Sequence, residues 1–404
     1  MFLNQKNIFN TMKIAIFTDA FTQMHSGVVT ATINLAKGLA DKGHKVYIIA
    51  TKFKIKKEFS YRDIEVIRMP GIPSLLSPEF KMTSLYSPKL MKYLREKDID
   101  VIQFATPLSL GLQAILIARK LNKPLVGTFH TFSADEQFLE GIHLDFKPIL
   151  KYIQKFMWGL NRFYYNKCDL ITCPAKTTKE ELIENGLSKN IKVISNGIDF
   201  KIFDNSKWKE VKKKYNQDGK LLLFVGRIAP EKNIFYLLNC FSNVVKKIPN
   251  TKLIIVGDGP LMKDTIKRIE QLGIKKNVIL TGKIDYDKLV KSSIFKACDL
   301  FVTASVTENQ PMTILEAQIN GLPCVGINIR GMKDLIQNGY NGYLTEEKNP
   351  DEFTEKIVKL LSDDKLRNKM KKNTLKAVKI NDLPKVIEIW EDTLKKLIIA
   401  KKDK

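Results

Sequence analysis

The chain has 404 residues, 44% of them hydrophobic, with 67 basic against 43 acidic side chains and a net charge of +24. That length favours two domains over one and supplies enough apolar material for packed cores. No apolar run approaches the roughly 18–20 residues of a membrane span, and the N-terminus lacks a signal-peptide core followed by a small-residue cleavage site, so a cytoplasmic protein is expected.

Five cysteines (Cys168, Cys173, Cys240, Cys298, Cys324) form no CxxC pair, which argues against a disulfide framework and a zinc ribbon and predicts reduced, buried thiols. All but nine of the basic residues are lysines. The surplus favours an anionic partner, a membrane surface more than nucleic acid, although a compositional bias toward Lys, Asn and Ile would raise the charge as well.

In chain order, residues 1–11 show no periodic pattern, and Met12 is an alternative start. Lys13–Thr18 is a strand, 19–27 a loop ending in Gly27, Val28–Leu39 a helix and Lys45–Ala50 the next strand. Gly27 at this helix entrance would let backbone amides approach a phosphate or a sugar hydroxyl. Strand-like runs follow at Ile64–Arg68, Asp100–Phe104, Pro124–Thr128 and Asp169–Cys173, with helical segments between several of them, which is the alternation of a doubly wound sheet. His130 falls just past a strand end, over the same edge as Gly27; from position alone it is equally a structural histidine. Ile191–Asp199 closes a first domain near residue 200, and the lysine-rich stretch Lys207–Lys220 is read as a separator.

The alternation then repeats: Leu221–Val225, a helix over 233–248, Leu253–Pro260, Val278–Ile284 and a short strand over 300–302. Gly226–Lys232 (GRIAPEK) follows the first of these strands. It carries two cations, Arg227 and Lys232, where a diphosphate would lie between the domains, with Gly226 allowing close backbone approach. After Val302, the stretch TASVTENQPMTILEAQING places Glu308 in a loop at the carboxyl end of a strand. Asn309 to Pro311 read as the cap and first turn of a helix, and Glu316 lies two turns into it. In an open parallel sheet that edge binds ligands. A last helix, about 384–400, carries Val386, Ile387, Trp390, Leu394 and Leu397 on one side and is expected to return to the first domain.

Glu308 and Glu316, with seven residues between them, together with Gly226-Arg227…Lys232, the Ser26-Gly27-Val28 turn and His130-Thr131, resemble the motifs of family 4 retaining glycosyltransferases over nearly all of residues 13–395. The resemblance implies the α/β GT-B fold, two Rossmann-like doubly wound domains facing across a cleft, with boundaries at 1–200, 201–383 and a returning helix 384–404. It implies that Arg227 and Lys232 bind the nucleotide diphosphate of a UDP-hexose, Glu316 the ribose hydroxyls and Glu308 the donor sugar, with His130 near the reacting carbon. Asn309 and Gln310 complete the donor loop. The chain departs from the family's Glu-x-Phe-Gly here: Pro311 has no N–H to offer the sugar, so the hexose, glucose or galactose, stays open. The Glu-x-Gln form resembles bacterial members that glycosylate diacylglycerol; a surface-polysaccharide or lipopolysaccharide acceptor is the alternative. No cofactor is expected. Asp98-Ile99-Asp100 sits at the amino edge of the sheet and Asp285-Tyr286-Asp287 reads as a helix cap, so neither is taken as a metal pair.

Two segments fit an anionic bilayer interface. One is Lys147–Lys167, with Lys147, Lys151 and Lys155 on one helical face beside Trp158 and other aromatic residues. The second is Glu79–Lys97, with Lys81, Lys89, Lys92 and Arg95. A peripheral enzyme at the inner face of the plasma membrane is the expectation. The contrasting class is a non-catalytic basic protein that binds membrane or nucleic acid; it has no recognised nucleic-acid module and leaves the paired glutamates without a role.

Overall fold

The computed structural model describes residues 11–21, 27–53, 58–73, 81–130, 147–187 and 190–403, without the side chains of 147–150. Two compact units emerge. One joins the N-terminal residues to Pro148–Gly197 and Leu383–Lys404, and the other contains Ile198–Asp382.

The first unit is built on strands β1 (Lys13–Thr18), β2 (Lys45–Thr51), β3 (Ile64–Met69), β6 (Val101–Phe104), β7 (Leu125–Thr128), β8 (Leu170–Cys173) and β9 (Ile191–Val193). They form one parallel sheet in the order β3-β2-β1-β6-β7-β8-β9. Continuous apolar runs such as Ile14 to Phe17 and Val46 to Ala50 are buried, as a parallel sheet covered on both faces requires. A two-stranded hairpin, β4 (Gly71–Pro73) and β5 (Lys81–Thr83), is added. The helices are α1 (Gly27–Asp41), α2 (Pro88–Glu96), α3 (Ser109–Lys120), α4 (Lys147–Tyr165) and α5 (Lys176–Glu184).

The second unit repeats the plan with β10 (Lys220–Val225), β11 (Thr251–Val256), β12 (Val278–Gly282), β13 (Leu300–Val302), β14 (Cys324–Ile327) and β15 (Gly342–Thr345), ordered β12-β11-β10-β13-β14-β15. Its helices include α6 (Trp208–Asn216), α7 (Ile234–Lys247), α8 (Met262–Gln271), α9 (Tyr286–Val290), α10 (Ile294–Ala297), α11 (Met312–Ile319), α12 (Arg330–Leu335), α13 (Pro350–Ser362) and α14 (Asp364–Ala377). The lysine-rich stretch read as a separator is therefore partly helix α6. It packs on this unit, with Lys212 Nζ 2.7 Å from Asp299 and Lys252 Nζ donating to the Tyr215 carbonyl at 2.8 Å.

The last helix, α15 (Leu383–Lys402), buries Val386, Ile387, Trp390 and Leu394 against the first unit. Polar contacts fix its register. Met12 N–H donates to His44 Nδ1 at 3.1 Å, leaving Nε2 3.4 Å from Glu391, which also binds Lys42 at 2.8 Å. All five cysteines are buried and free. Asp100 accepts from Lys13 N–H at 2.8 Å, a structural role for half of the first aspartate pair.

In each sheet the chain runs outward on one side of its first strand and then crosses to the other. The crevice at the carboxyl ends therefore opens between β1 and β6 in one unit and between β10 and β13 in the other.

Candidate active site

On the second unit the loops after β10 and β13 meet. Lys232 ends a short 3-10 turn, Pro230–Lys232, closed by Asn233 in the left-handed conformation (φ 48°) that asparagine tolerates. Its ammonium lies 2.5 Å from Glu308 Oε1, and Ser305 Oγ donates to the same oxygen at 2.8 Å. Val306 N–H donates to the Glu231 carbonyl at 3.1 Å and stitches the loops together, with Ser305 Oγ 3.2 Å from the same carbonyl oxygen. Burial disfavours the charge of Lys232, but Glu308 outweighs it and holds the pKa above the usual lysine value. Arg227, on the same loop, is exposed.

Helix α11 starts at Met312, with Pro311 in the cap position and no side-chain cap bond. The expected cap at Asn309 is thus corrected. Asn309 and Gln310 are buried in the turn before the helix, and the Asn309 carbonyl is seated on Gly331, where a Cβ would come within 1.6 Å of it. Pro311 fixes the entry of the helix without supplying an N–H. Glu316 follows one turn into α11, buried, with its carboxyl pushed up to about 8 by desolvation and drawn back by a hydrogen bond from Tyr286. Asp285 occupies the N-cap position of α9 but makes no side-chain cap bond.

Within the protein the steric demand for glycine falls one strand over from Gly226. A Cβ on Gly226 would meet only the Phe224 ring at 3.3 Å, whereas Gly257 has φ +147° and a Cβ there would come within 1.8 Å of the Gly226 carbonyl.

On the first unit, Gly27 opens α1 after β1, and His130 follows β7 on the same carboxyl edge. Ser26 and Thr131 lie outside the described residues. His130 is half-buried, and burial pulls its pKa down to about 4, so the imidazole is neutral at neutral pH. With Ile16, Thr32, Gln103, Thr128 and Asn196 it lines a small recess. Gln103 Nε2 donates to Thr128 Oγ1 at 2.7 Å, and Thr172 Oγ1 donates to the same oxygen at 2.8 Å.

The crevice between β1 and β6 is organised by Asp19, which the sequence reading missed. Its carboxylate accepts from Thr106 Oγ1 at 2.9 Å, Ser109 Oγ at 2.8 Å and Leu110 N–H at 3.2 Å. Burial raises this carboxyl to about 6 against those bonds. Ser109 Oγ in turn accepts from Thr83 N–H at 3.0 Å, tying the hairpin to the crevice. Arg68 was also missed: it donates to the Phe21 carbonyl at 2.6 Å and the Thr51 carbonyl at 3.1 Å and pairs with Glu58. A polar residue closing an apolar strand (Asp19) and one inside such a strand (Gln103) were the available signals.

The expected membrane residues do not form one set. Lys81 lies in strand β5 rather than in a helix, its ammonium bonded to the Lys52 carbonyl at 2.9 Å and set over the Phe53 ring. Glu79 lies outside the described residues. Lys89, Lys92 and Arg95 are exposed on α2, which Ser87 caps by accepting from Leu90 N–H at 3.2 Å. Trp158 is stacked on Phe129 at 6.4 Å and packs on the core, so it is withdrawn from the exposed face. Lys151 and Lys155 are exposed, and the side chain of Lys147 lies outside the described residues. Beside those lysines, Tyr152, Phe156 and Phe163 form a stripe at i, i+4 and i+11 with 77%, 63% and 45% of their surface exposed.

Residues 25–201 match the family model for Glycosyltransferase Family 4, and residues 205–377 match that for glycosyl transferases group 1. An alpha-monoglucosyldiacylglycerol synthase of Streptococcus pneumoniae is 31% identical over 82% of this chain and 75% of its own length. The chain belongs to glycosyltransferase family 4. An enzyme of the same name from Acholeplasma laidlawii is 27% identical to this glycosyltransferase over 97% of the chain and 98% of the relative. Other relatives of this family 4 enzyme bear the names of mannosyl- and galactosyltransferases. Among solved structures, Anabaena HepE in complex with UDP and glucose superposes with a TM-score of 0.73 at 19% identity, covering 95% of this chain and 100% of that one. The two Rossmann-like parallel sheets are those of the GT-B fold.

Among the described residues no helix is long and apolar enough to cross a membrane, and no group of three or more His, Cys, Asp or Glu side chains could hold a metal ion.

Proposed function

We propose that this glycosyltransferase moves a hexose, glucose or galactose, from a UDP-sugar to the hydroxyl of 1,2-diacylglycerol at an anionic membrane surface, with retention of the anomeric configuration. The observation that carries the donor half is the meeting of the Arg227–Lys232 loop with Glu308 at the β10–β13 crevice. When the glycosidic bond to the diphosphate breaks, negative charge builds on the leaving oxygen. Cations already in place at that position lower the barrier without a solvent rearrangement. Arg227 and Lys232 fill that role in this reading, so no metal ion is required. Glu308 holds Lys232 in place before the donor arrives and faces the sugar, and Glu316 takes the ribose hydroxyls. His130 contributes a neutral imidazole, which can hydrogen-bond a sugar hydroxyl without adding charge.

The acceptor half rests on the names of the two synthases and on surface chemistry. The Tyr152, Phe156 and Phe163 stripe beside Lys151 and Lys155 has the composition of an interfacial helix face, and the exposed cations of α2 would add electrostatic attraction of about 1 kcal/mol each near an anionic surface. The chain would then work as a peripheral protein.

The test is UDP release from UDP-glucose and UDP-galactose over vesicles with and without diacylglycerol. Release that depends on diacylglycerol is expected. Release that ignores diacylglycerol but responds to a polyprenyl-linked or polysaccharide acceptor would overturn the acceptor assignment.

A further inference from the structure

Tyr286 stands in the Asp285-Tyr286-Asp287 motif, which the reaction described above leaves without a task. It is the first residue of α9 and follows β12, the edge strand of the second sheet, on the carboxyl side. Its hydroxyl nevertheless bonds Glu316, which belongs to the helix after β13 on the far side of the crevice. The segments after β12 and β13, strands with two others between them in the sheet, thus converge on one buried carboxyl group.

Glu316 is 3% exposed, so bulk water has little access to orient it. The phenol is itself held above its ordinary pKa, first by burial and then by Glu316, with Asp199 and Asp287 adding to the effect. Tyr286 therefore keeps its proton and acts as the donor in this pair. A carboxylate accepts up to about four hydrogen bonds, so a phenol on one side is compatible with a vicinal diol on the other.

We propose that Tyr286 is a positioning residue for nucleotide recognition: its hydroxyl fixes the Glu316 carboxylate so that it engages both ribose hydroxyls, and this sets a preference for ribonucleotide over 2′-deoxyribonucleotide donors. The inference rests on the reading of Glu316 as the ribose contact. A linkage follows. The diol's O–H donors favour the charged carboxylate, so binding draws a proton off Glu316, and affinity rises with pH until it levels off above about 8, the value for the empty site. Loss of the phenol removes the one interaction that lowers that value, and the midpoint moves to higher pH.

The experiment titrates UDP and 2′-deoxy-UDP into the full chain as wild type, Tyr286→Phe and Glu316→Gln, from pH 6.5 to 9.5. Wild type is expected to prefer UDP by on the order of tenfold to a hundredfold, the worth of one hydrogen bond to a charged group. Tyr286→Phe should shrink that ratio to within about threefold and shift the pH midpoint upward, with cooperative thermal unfolding retained. An unchanged ratio and midpoint in Tyr286→Phe, with the ratio collapsed in Glu316→Gln, would overturn the role of Tyr286 alone. A ratio that survives Glu316→Gln would overturn the ribose reading and the proposal with it. Wild type also carries a test that needs no variant: UDP binding at pH 7 in buffers of different ionisation enthalpy should release protons, and binding without release counts against the linkage.

Discussion

Lys232→Ala should lower turnover at saturating donor by about 100- to 1,000-fold while leaving the chain folded. The ammonium is 2.5 Å from Glu308, and the two side chains are only 21% and 15% exposed, so solvent screens the pair weakly. Removing one pre-placed donor at a site of developing negative charge costs ~2.7–4 kcal/mol of barrier, which is that range in rate. The cost in stability should be smaller than the ~3–5 kcal/mol of a fully buried broken pair, because Glu308 keeps Ser305 Oγ at 2.8 Å and retains some contact with water. Glu308→Gln separates charge from shape. Its amide oxygen can still accept from Ser305 and Lys232, so the loop contacts with Glu231 persist while the carboxylate charge is lost. The assay is UDP release with donor saturated and acceptor fixed, beside a thermal unfolding curve for each variant. Turnover within about threefold of wild type in either variant would refute the assignment of this pair to the donor site.

Asp19→Asn should change how stability depends on pH. Burial raises the folded carboxyl from 3.8 to about 6, so the folded state binds the proton more tightly than the unfolded chain. The contribution of Asp19 to stability is therefore fully present below about pH 4 and is lost, by up to ~3 kcal/mol relative to the variant, as pH rises through 6. Urea unfolding of both proteins at pH 4 and pH 7 measures it, and parallel behaviour would contradict the burial argument. If Arg227 and Lys232 supply the charge at the diphosphate, transfer should survive EDTA; loss restored by Mg²⁺ or Mn²⁺ would show a metal-dependent site. Charge reversal of Lys151 and Lys155 with Tyr152, Phe156 and Phe163 changed to serine should abolish salt-sensitive sedimentation with anionic vesicles, as the Debye length shrinks from ~10 Å at 0.1 M to ~3 Å at 1 M salt. Reversing the exposed Lys365, Lys369 and Lys372 is the matched control; equal loss from both would leave only nonspecific charge.

Both sheets were readable because each strand is a short apolar run bounded by turn residues, and the order of strands and helices admits few parallel topologies. The placement of Arg227, Lys232 and Glu308 in the segments after strands, and of Glu316 in the helix beyond, was readable from the apolar runs that precede them, at the edge where such sheets bind ligands. Long-range polar pairing was not. Tyr286 and Glu316 are thirty positions apart, and Asp19 meets Ser109 ninety positions on. No local periodicity encodes such contacts, which exist only once β6 lies beside β1 or β12 and β13 share a sheet. Lys207–Lys220 was misread for a different reason. A run of lysines looks like a solvated linker, yet Trp208, Val211 and Tyr215 give it an apolar face, and Val211 and Tyr215 pack on the core. Trp158 was misread in the opposite sense: aromatic content alone does not tell a membrane anchor from a core contact, and Phe129, after another strand, decides it.

The most direct test of the account is the identity of the product. The full chain should be incubated with UDP-glucose or UDP-galactose and anionic vesicles containing 1,2-diacylglycerol, and the lipid extract analysed by mass spectrometry and proton NMR. The account predicts a monohexosyldiacylglycerol whose anomeric coupling is that of the α-linked donor, absent with Glu308→Gln. A β-linked product would contradict retention, and a hexosylated product on any acceptor but diacylglycerol would contradict the assigned reaction.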